Sequence, residues 1–423
     1  MKALNAEEVA SRRRSPLLPI FLIVMVDVLG LTIILPLLPF YAERLGASPA
    51  VVGLLVSTYA ACQLVAGPVL GQISDRVGRR PLLLVSQMGT FIGFLILAWA
   101  GSLWMVFLAR IIDGLTAGNL SLAQAYISDV TRPEERAKSF GVIGVAFGIG
   151  FLIGPAISGY LSTFGYQYPI FAAAALSATS ILSTYFLLPG APVVPESEKR
   201  EGPPLPAGRR LRVLDWGNYA TYFKRPVLAQ LLWQFFSFAF AFAIFMSGFA
   251  LFAERRYAWN GHAFGVKEVG YIFAYVGFLG IILQGGLIGR LVRMFGEEKL
   301  VSAGFVSATA GFALIGFVYH LPGLLLASTI ASFGTGVLRP ALTSLITQRA
   351  GREEQGVVLG LTQSLMSVAQ IVAPVIAGFL IDRGLLTTWA LVGATASLMG
   401  VLIGQIVNPP GTGSTVPNPN TRR

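Results

Sequence analysis

The sequence predicts an all-α polytopic membrane protein, with twelve transmembrane helices in two pseudo-symmetric six-helix bundles. Three observations carry that prediction. The 423-residue chain is 54% hydrophobic and only 12% charged, too little polar surface for a soluble fold. Its apolar residues gather into twelve runs, each near the roughly 20 residues that cross a bilayer as a helix. A Pro-rich basic stretch divides the runs six and six, and short patterns in the first half return in the second at a nearly fixed offset.

Residues 1–16 read as a polar tail carrying Arg12, Arg13 and Arg14. The apolar run 17–41 is too long for the core of a signal peptide and lacks a small-residue cleavage site, so it is helix 1. The next five helices fall near 51–72, 82–101, 103–128, 138–162 and 167–188, completing an N-terminal bundle over 17–188. Residues 189–226 cannot span, because they hold Pro189, Pro192, Pro195, Pro203, Pro204, Pro206 and Pro226. This linker carries the basic run Arg209, Arg210 and Arg212, which suits either the anionic inner leaflet or plain solvent. The C-terminal bundle covers 227–407, with helices near 227–252, 269–291, 300–319, 323–347, 356–381 and 386–407. A second tail follows over 408–423.

Charge gives the orientation. With the N-terminus inside, 24 of the 31 Lys and Arg residues fall in cytoplasmic segments. Five fall outside (Arg44, Arg255, Arg256, Lys267 and Arg383), and Arg110 and Arg339 lie within spans. Both termini are therefore expected in the cytoplasm, with the chain integral to the cytoplasmic membrane. The net charge of +11 is read the same way and not as a nucleic-acid surface, since the charges sit in loops between apolar runs. The single cysteine, Cys62, can close no internal disulfide. His262 and His320 stand in different loops, and no cluster has metal-ligand spacing, so neither metal nor other cofactor is expected.

The halves resemble each other residue by residue. Gly154-Pro155 returns as Ala373-Pro374 and Gly159-Tyr160-Leu161 as Gly378-Phe379-Leu380, both 219 residues on. Gly71 and Gly78 return as Gly289 and Gly296, 218 on, with Asp75 replaced by Arg293. Duplicated halves around a linker place a binding site between the repeats.

Charge inside hydrocarbon is expensive, which makes intramembrane ionisable residues functional candidates. Four stand out: Asp27, Arg110, Asp113 and Arg339. A carboxylate stranded at Asp27, in the middle of helix 1, can load and release a proton or touch substrate; locked to an arginine, it would be structural. In helix 4, Arg110, Asp113, Ala117, Ser121, Gln124 and Ser128 share one face at 100° per residue and should point into the bundle. Arg110 and Asp113, three apart, can pair, and Arg110 could instead approach Asp27. Arg339 shares a face of helix 10 with Thr335, Thr343 and Thr347, and could hold an anionic substrate group or an N-half aspartate. Phe235 and Tyr275 are offered as aromatic cavity contacts.

The loop from Gly71 to Pro81 is too short to cross, so its flanking helices form a hairpin. Gly71 is expected to end helix 2 where bulk would clash, Asp75 to follow that end, Gly78 to allow the reversal and Pro81 to enter helix 3. Arg76, Arg79 and Arg80 put the loop on the inside. Helix 5 carries Gly144, Gly148, Gly150, Gly154, Pro155 and Gly159. The glycines allow close approach of a neighbour and the proline removes one helical hydrogen bond.

Two of these patterns also carry a family resemblance. Gly-x-x-x-Asp-Arg-x-Gly-Arg-Arg over 71–80 resembles the signature loop between helices 2 and 3 of major facilitator superfamily transporters. Gly154-Pro-Ala-Ile-Ser-Gly159 resembles the helix 5 motif of that superfamily's proton-driven antiporters. Across about 17–407 the nearest likeness is to its drug:proton antiporter branch, which includes the tetracycline efflux proteins. Asp27-Val-Leu-Gly-Leu-Thr-Ile-Ile-Leu-Pro36 is similar to that branch's helix 1, Arg110 to Gly118 to its helix 4, and Ala125 to Asp129 to the end of helix 4. The resemblance implies that Asp27 is the coupling carboxylate with Arg110 its partner, and that Asp75, Arg79 and Asp129 latch the cytoplasmic side of an outward-facing state. It implies a monomeric secondary transporter exchanging protons for a small amphipathic compound. A symporter of a nutrient stands as the alternative. A membrane-embedded enzyme stands further off, because no nucleophile–base or paired-carboxylate constellation is seen.

Overall fold

A computed structural model describes residues 17–130, 136–188, 221–350 and 354–407, without the side chains of 17–19, 128–130, 136–143, 356 and 406–407. The expected tails, the linker through residue 220 and the Asp129 side chain lie outside the described residues. Among the described residues, twelve helices are long and apolar enough to span.

The N-half comprises α1 (Leu17–Arg44), α2 (Pro49–Val77), α3 (Arg79–Ala98), α4, α5 (Arg136–Leu161) and α6 (Gln167–Leu187). The C-half comprises α7 (Pro226–Arg256), α8, α9 (Glu297–Phe317), α10 (Leu321–Arg349), α11 (Gln355–Asp382) and α12 (Leu386–Val407). Two of these spans are broken. The fourth runs as Leu103–Leu115 and Asn119–Val130, with Thr116, Ala117 and Gly118 outside the helix. The eighth runs as Val266–Ile282, a π-helical turn over Leu283–Leu287, and Ile288–Phe295. A two-stranded hairpin, β1 (Ala258–Trp259) and β2 (His262–Ala263), joins α7 to α8 through Asn260-Gly261, both at positive φ as such a turn demands.

The α2–α3 connection is tighter than the sequence suggested. Gly71 does not end α2; the helix continues through Asp75 and Arg76 to Val77. Gly78 alone makes the turn, at φ 102, and α3 begins at Arg79 with Pro81 in its first turn. Gly296, at φ 76, makes the equivalent turn between α8 and α9. The membrane side bearing these two turns is called here the turn face, and the opposite side the far face.

Within each half the helices pack pairwise, α1 against α5 and α6, α3 against α4 and α6, α9 against α10 and α12, α7 against α11 and α12. The halves meet through two equivalent seams, α2 on α11 and α5 on α8. Lipid gives apolar side chains no reason to cluster, so association rests on close packing and hydrogen bonds, the latter worth about 0.6 kcal/mol each on average. Ser57 supplies one across a seam, donating to the Ile371 carbonyl at 2.6 Å. Gln230 and Gln234 donate from α7 to the Gly404 and Gly400 carbonyls of α12, each at 3.0 Å.

Both seams are tight at the far face and open at the turn face. A Cβ at Gly53 would run into the Pro374 carbonyl, and one at Gly378 into the Pro49 carbonyl. The second seam repeats this: a Cβ at Gly270 would strike the Pro155 carbonyl and one at Gly159 would lie 3.0 Å from the Lys267 carbonyl oxygen. Toward the turn face Gly67, Gly71, Gly144, Gly285, Gly289 and Gly360 have no neighbour within 4 Å of such a Cβ. The halves therefore form a V, closed at the far face. Gly53→Val should force α2 from α11 at the closed end. In a Cys62→Ser background, a cysteine at Ala50 is expected to become several-fold more reactive to a membrane-impermeant maleimide; unchanged labelling would show that the seam tolerates the bulk.

Candidate functional site

Between the halves lies a cavity of about 960 Å³. Asp27, Arg110, Asp113, Gln124 and Arg339 all line it, together with Ala117 and Ser121 of the helix 4 stripe. The stripe survives the break in α4 because Ser86 of α3 holds the interruption. Its Oγ accepts from the Gly118 amide at 2.9 Å and donates to the Thr116 carbonyl, satisfying backbone groups that a continuous helix would have paired. Broken helices of this kind are tolerated at membrane depth where they line a cavity.

Arg110 and Asp113 form a buried ion pair, Nη1 to Oδ2 at 2.9 Å, with each side chain only 8% exposed. Arg110 also stacks over the Tyr59 ring at 4.2 Å, and the Thr90 hydroxyl donates to Asp113. The pairing of Arg110 with Asp27 is thus not formed in this conformation; the i,i+3 spacing on one helix makes Asp113 the nearer partner. Asp27 is held instead by the Ser180 hydroxyl of α6 and the Gln87 amide of α3, while Gln87 Nε2 donates to Ser180 Oγ at 2.7 Å. On the other side of α1, Thr32 donates to the Gly150 carbonyl of α5 at 2.9 Å.

The helix 5 glycines divide by role. A Cβ at Gly154 would collide with Thr32, so this residue lets α5 lie directly on α1, five residues from Asp27. A Cβ at Gly148 would lie 3.1 Å from the Ile281 side chain of α8, Pro155 and Gly159 belong to the far-face seam, and Gly144 faces open space. Pro155 lies inside an uninterrupted α5. Of the two suggested aromatics, Phe235 lines the cavity, but Tyr275 does not: its hydroxyl pairs with Thr329 Oγ1 at 2.7 Å.

At the turn face, Arg79 pairs with Asp75 at 2.7 Å and donates to Ser74. Arg80 donates to the Tyr185 carbonyl and stacks on its ring at 5.7 Å, while Arg76 is exposed. The expectation that bulk at Gly71 would clash is not met here, because the halves are apart at this face.

Sequence reasoning missed a contact at the far face. Arg255 of α7 bridges to Glu43 of α1 at 2.6 Å and to Glu254 at 2.9 Å, joining the halves where the V is closed. It also missed Gln87 and Ser180, whose signal was only that of polar residues inside apolar runs.

Two six-helix halves, related by pseudo-symmetry and enclosing a polar cavity that opens to one side, define a membrane transporter of the alternating-access class. The chain belongs to the Major Facilitator Superfamily, whose sequence profile matches residues 20–374 and again 285–421. It is similar to the tetracycline resistance protein, class B, of Escherichia coli, 30% identical over 366 residues, 86% of this chain and 88% of that one. It is similar as well to multidrug resistance protein 2 of Bacillus subtilis, 26% identical over 85% of this chain and 87% of that one. Among solved structures, the human organic anion transporter MFSD10 (TETRAN) shares the fold, with a TM-score of 0.69 and 24% identity, covering 92% of this chain and 98% of its own.

Proposed function

We propose that the protein exports small amphipathic compounds from the cytoplasm in exchange for protons. The observation that carries this reading is Asp27, an intramembrane carboxylate on the wall of the one-sided cavity, held by neutral hydrogen-bonding groups and not by a guanidinium. With only uncharged partners, a carboxyl so placed is costly to ionise, so it can hold a proton and give it up when cargo enters beside it. Kinship with tetracycline and multidrug resistance proteins supports export and an amphipathic cargo.

The excess of basic residues in the loops on one side supports a cytoplasmic position for both termini, and with them the turn face. The conformation described is then open inward, where an exporter loads. Cargo displaces the Asp27 proton, the halves rock until the turn face closes and the far face parts, and a proton from outside releases the cargo. Asp75, Arg79 and Asp129 latch the turn face in the outward state, and the Arg255–Glu43 bridge holds the far face in the inward one.

The test is accumulation of a substrate panel, tetracycline and cationic dyes included, in a pump-deficient host with and without a protonophore. Expression should lower accumulation and the protonophore should restore it. Accumulation that rises with expression would make the protein an importer. Arg79→Ala should slow turnover several-fold with substrate affinity retained; undiminished turnover would remove the latch.

A further inference from the structure

We propose that Arg339 anchors an acidic group of the transported compound, so that the cavity selects amphipaths bearing an anion. This rests on the transport reading above and names its substrate class. The cavity holds two guanidiniums, and they are not equivalent. Arg110 is already committed, to Asp113 at 2.9 Å and to the Tyr59 ring. Arg339 reaches the cavity from α10 and has no ion-pair partner among the described residues.

Among the described residues, no acid of the C-half lines the cavity with it. The residues that α10 and α11 bring to the cavity beside it are neutral, among them Thr343, Thr362, Gln363, Ser364 and Ser367. Thr343 spends its hydroxyl on the Arg339 carbonyl at 2.7 Å and so offers no competing donor. Among the described residues, the C-half acids Glu254, Glu268, Glu297, Glu298, Glu354 and Asp382 all sit at or beside helix ends. A planar guanidinium presents paired N–H groups that match a carboxylate or sulfonate bidentately, and it retains its charge where an ammonium would not. Phe94, Phe147, Phe235 and Met366 supply apolar wall on the same cavity, so the anion must belong to a molecule with an apolar body.

Rhodamine 110 and rhodamine 123 make a matched probe pair: the second is the methyl ester of the first, so the two differ at one ionised carboxylate. Binding of each is measured by fluorescence polarisation to the full-length protein in nanodiscs, with no gradient applied. The wild type should bind rhodamine 110 roughly tenfold or more tightly than its ester, the scale of one charge-assisted contact. Arg339→Gln should bring that ratio to about one, chiefly by weakening rhodamine 110, and Arg339→Lys should keep part of it. Ester binding reports that each variant is folded. A wild-type ratio near one, undetectable rhodamine 110 binding, or a ratio that survives Arg339→Gln overturns the assignment. The last of these is the result expected if Arg339 serves to meet Asp27 or Asp113 when the halves close. Because the assay needs no transport, its failure is separate from failure of the export reading, which the protonophore experiment decides.

Discussion

Asp27→Asn is expected to abolish uphill transport while leaving downhill exchange intact. The substitution replaces one oxygen by an amide of nearly the same shape. Ser180 and Gln87 can still hydrogen-bond the side chain, and α1 keeps its close contact with α5 at Gly150 and Gly154. What disappears is the ability to alternate between a charged and a neutral state. In proteoliposomes with an imposed proton gradient, the inside-to-outside substrate ratio should fall from its coupled value to about one. Counterflow with substrate on both sides should continue, since it needs the cavity and the rocking motion only. A variant that still builds the full gradient would move the coupling role to another acid, with Asp113 the first to try.

Arg110→Ala should be the most damaging single substitution for stability. Arg110 and Asp113 are both nearly shielded from water, and removal of one partner leaves the other as an uncompensated charge. Breaking a buried pair in this way costs about 3–5 kcal/mol, well above the worth of the pair itself relative to apolar side chains. The single variant should therefore unfold many degrees earlier in detergent, whereas Arg110→Leu combined with Asp113→Leu should recover most of that loss. The double variant should still fail to transport, because the cavity wall has lost its polar anchor. If Arg110→Ala melts with the wild type, Asp113 is neutral at rest and the pair is not a structural tie.

Much of this architecture was legible in the sequence because hydrocarbon thickness imposes the length of a span and the basic loops punctuate it. Asp27, Arg110, Asp113, Gln124 and Arg339 could be singled out one by one, since each stands inside an apolar run, and they do share a single cavity. The errors have physical causes. Hydropathy marks where the membrane ends and not where a helix does, so the polar end of α2, through Asp75 and Arg76, was read as loop although it stays helical. The interruption of α4 depends on Ser86 from another helix, and no local pattern announces it. Glu43 and Arg255 are 212 residues apart and sit at span ends, where charge is ordinary, so their bridge is visible only in three dimensions.

The π turn over Leu283–Leu287 has a bearing on ancestry and movement alike. Gly53 and Gly270, partners in the two far-face seams, are 217 positions apart, yet Gly71 and Gly289, past the π turn, are 218 apart. The second copy is one residue longer between these landmarks, and a turn bonded i to i+5 is how a helix accommodates a single extra residue without rotating both its ends out of register. The first copy has no such accommodation in α2. The duplicated halves are consequently unequal in stiffness along corresponding rods, with the compliant point on the eighth helix alone, so the two arms of the molecule should travel by different paths over the same stroke.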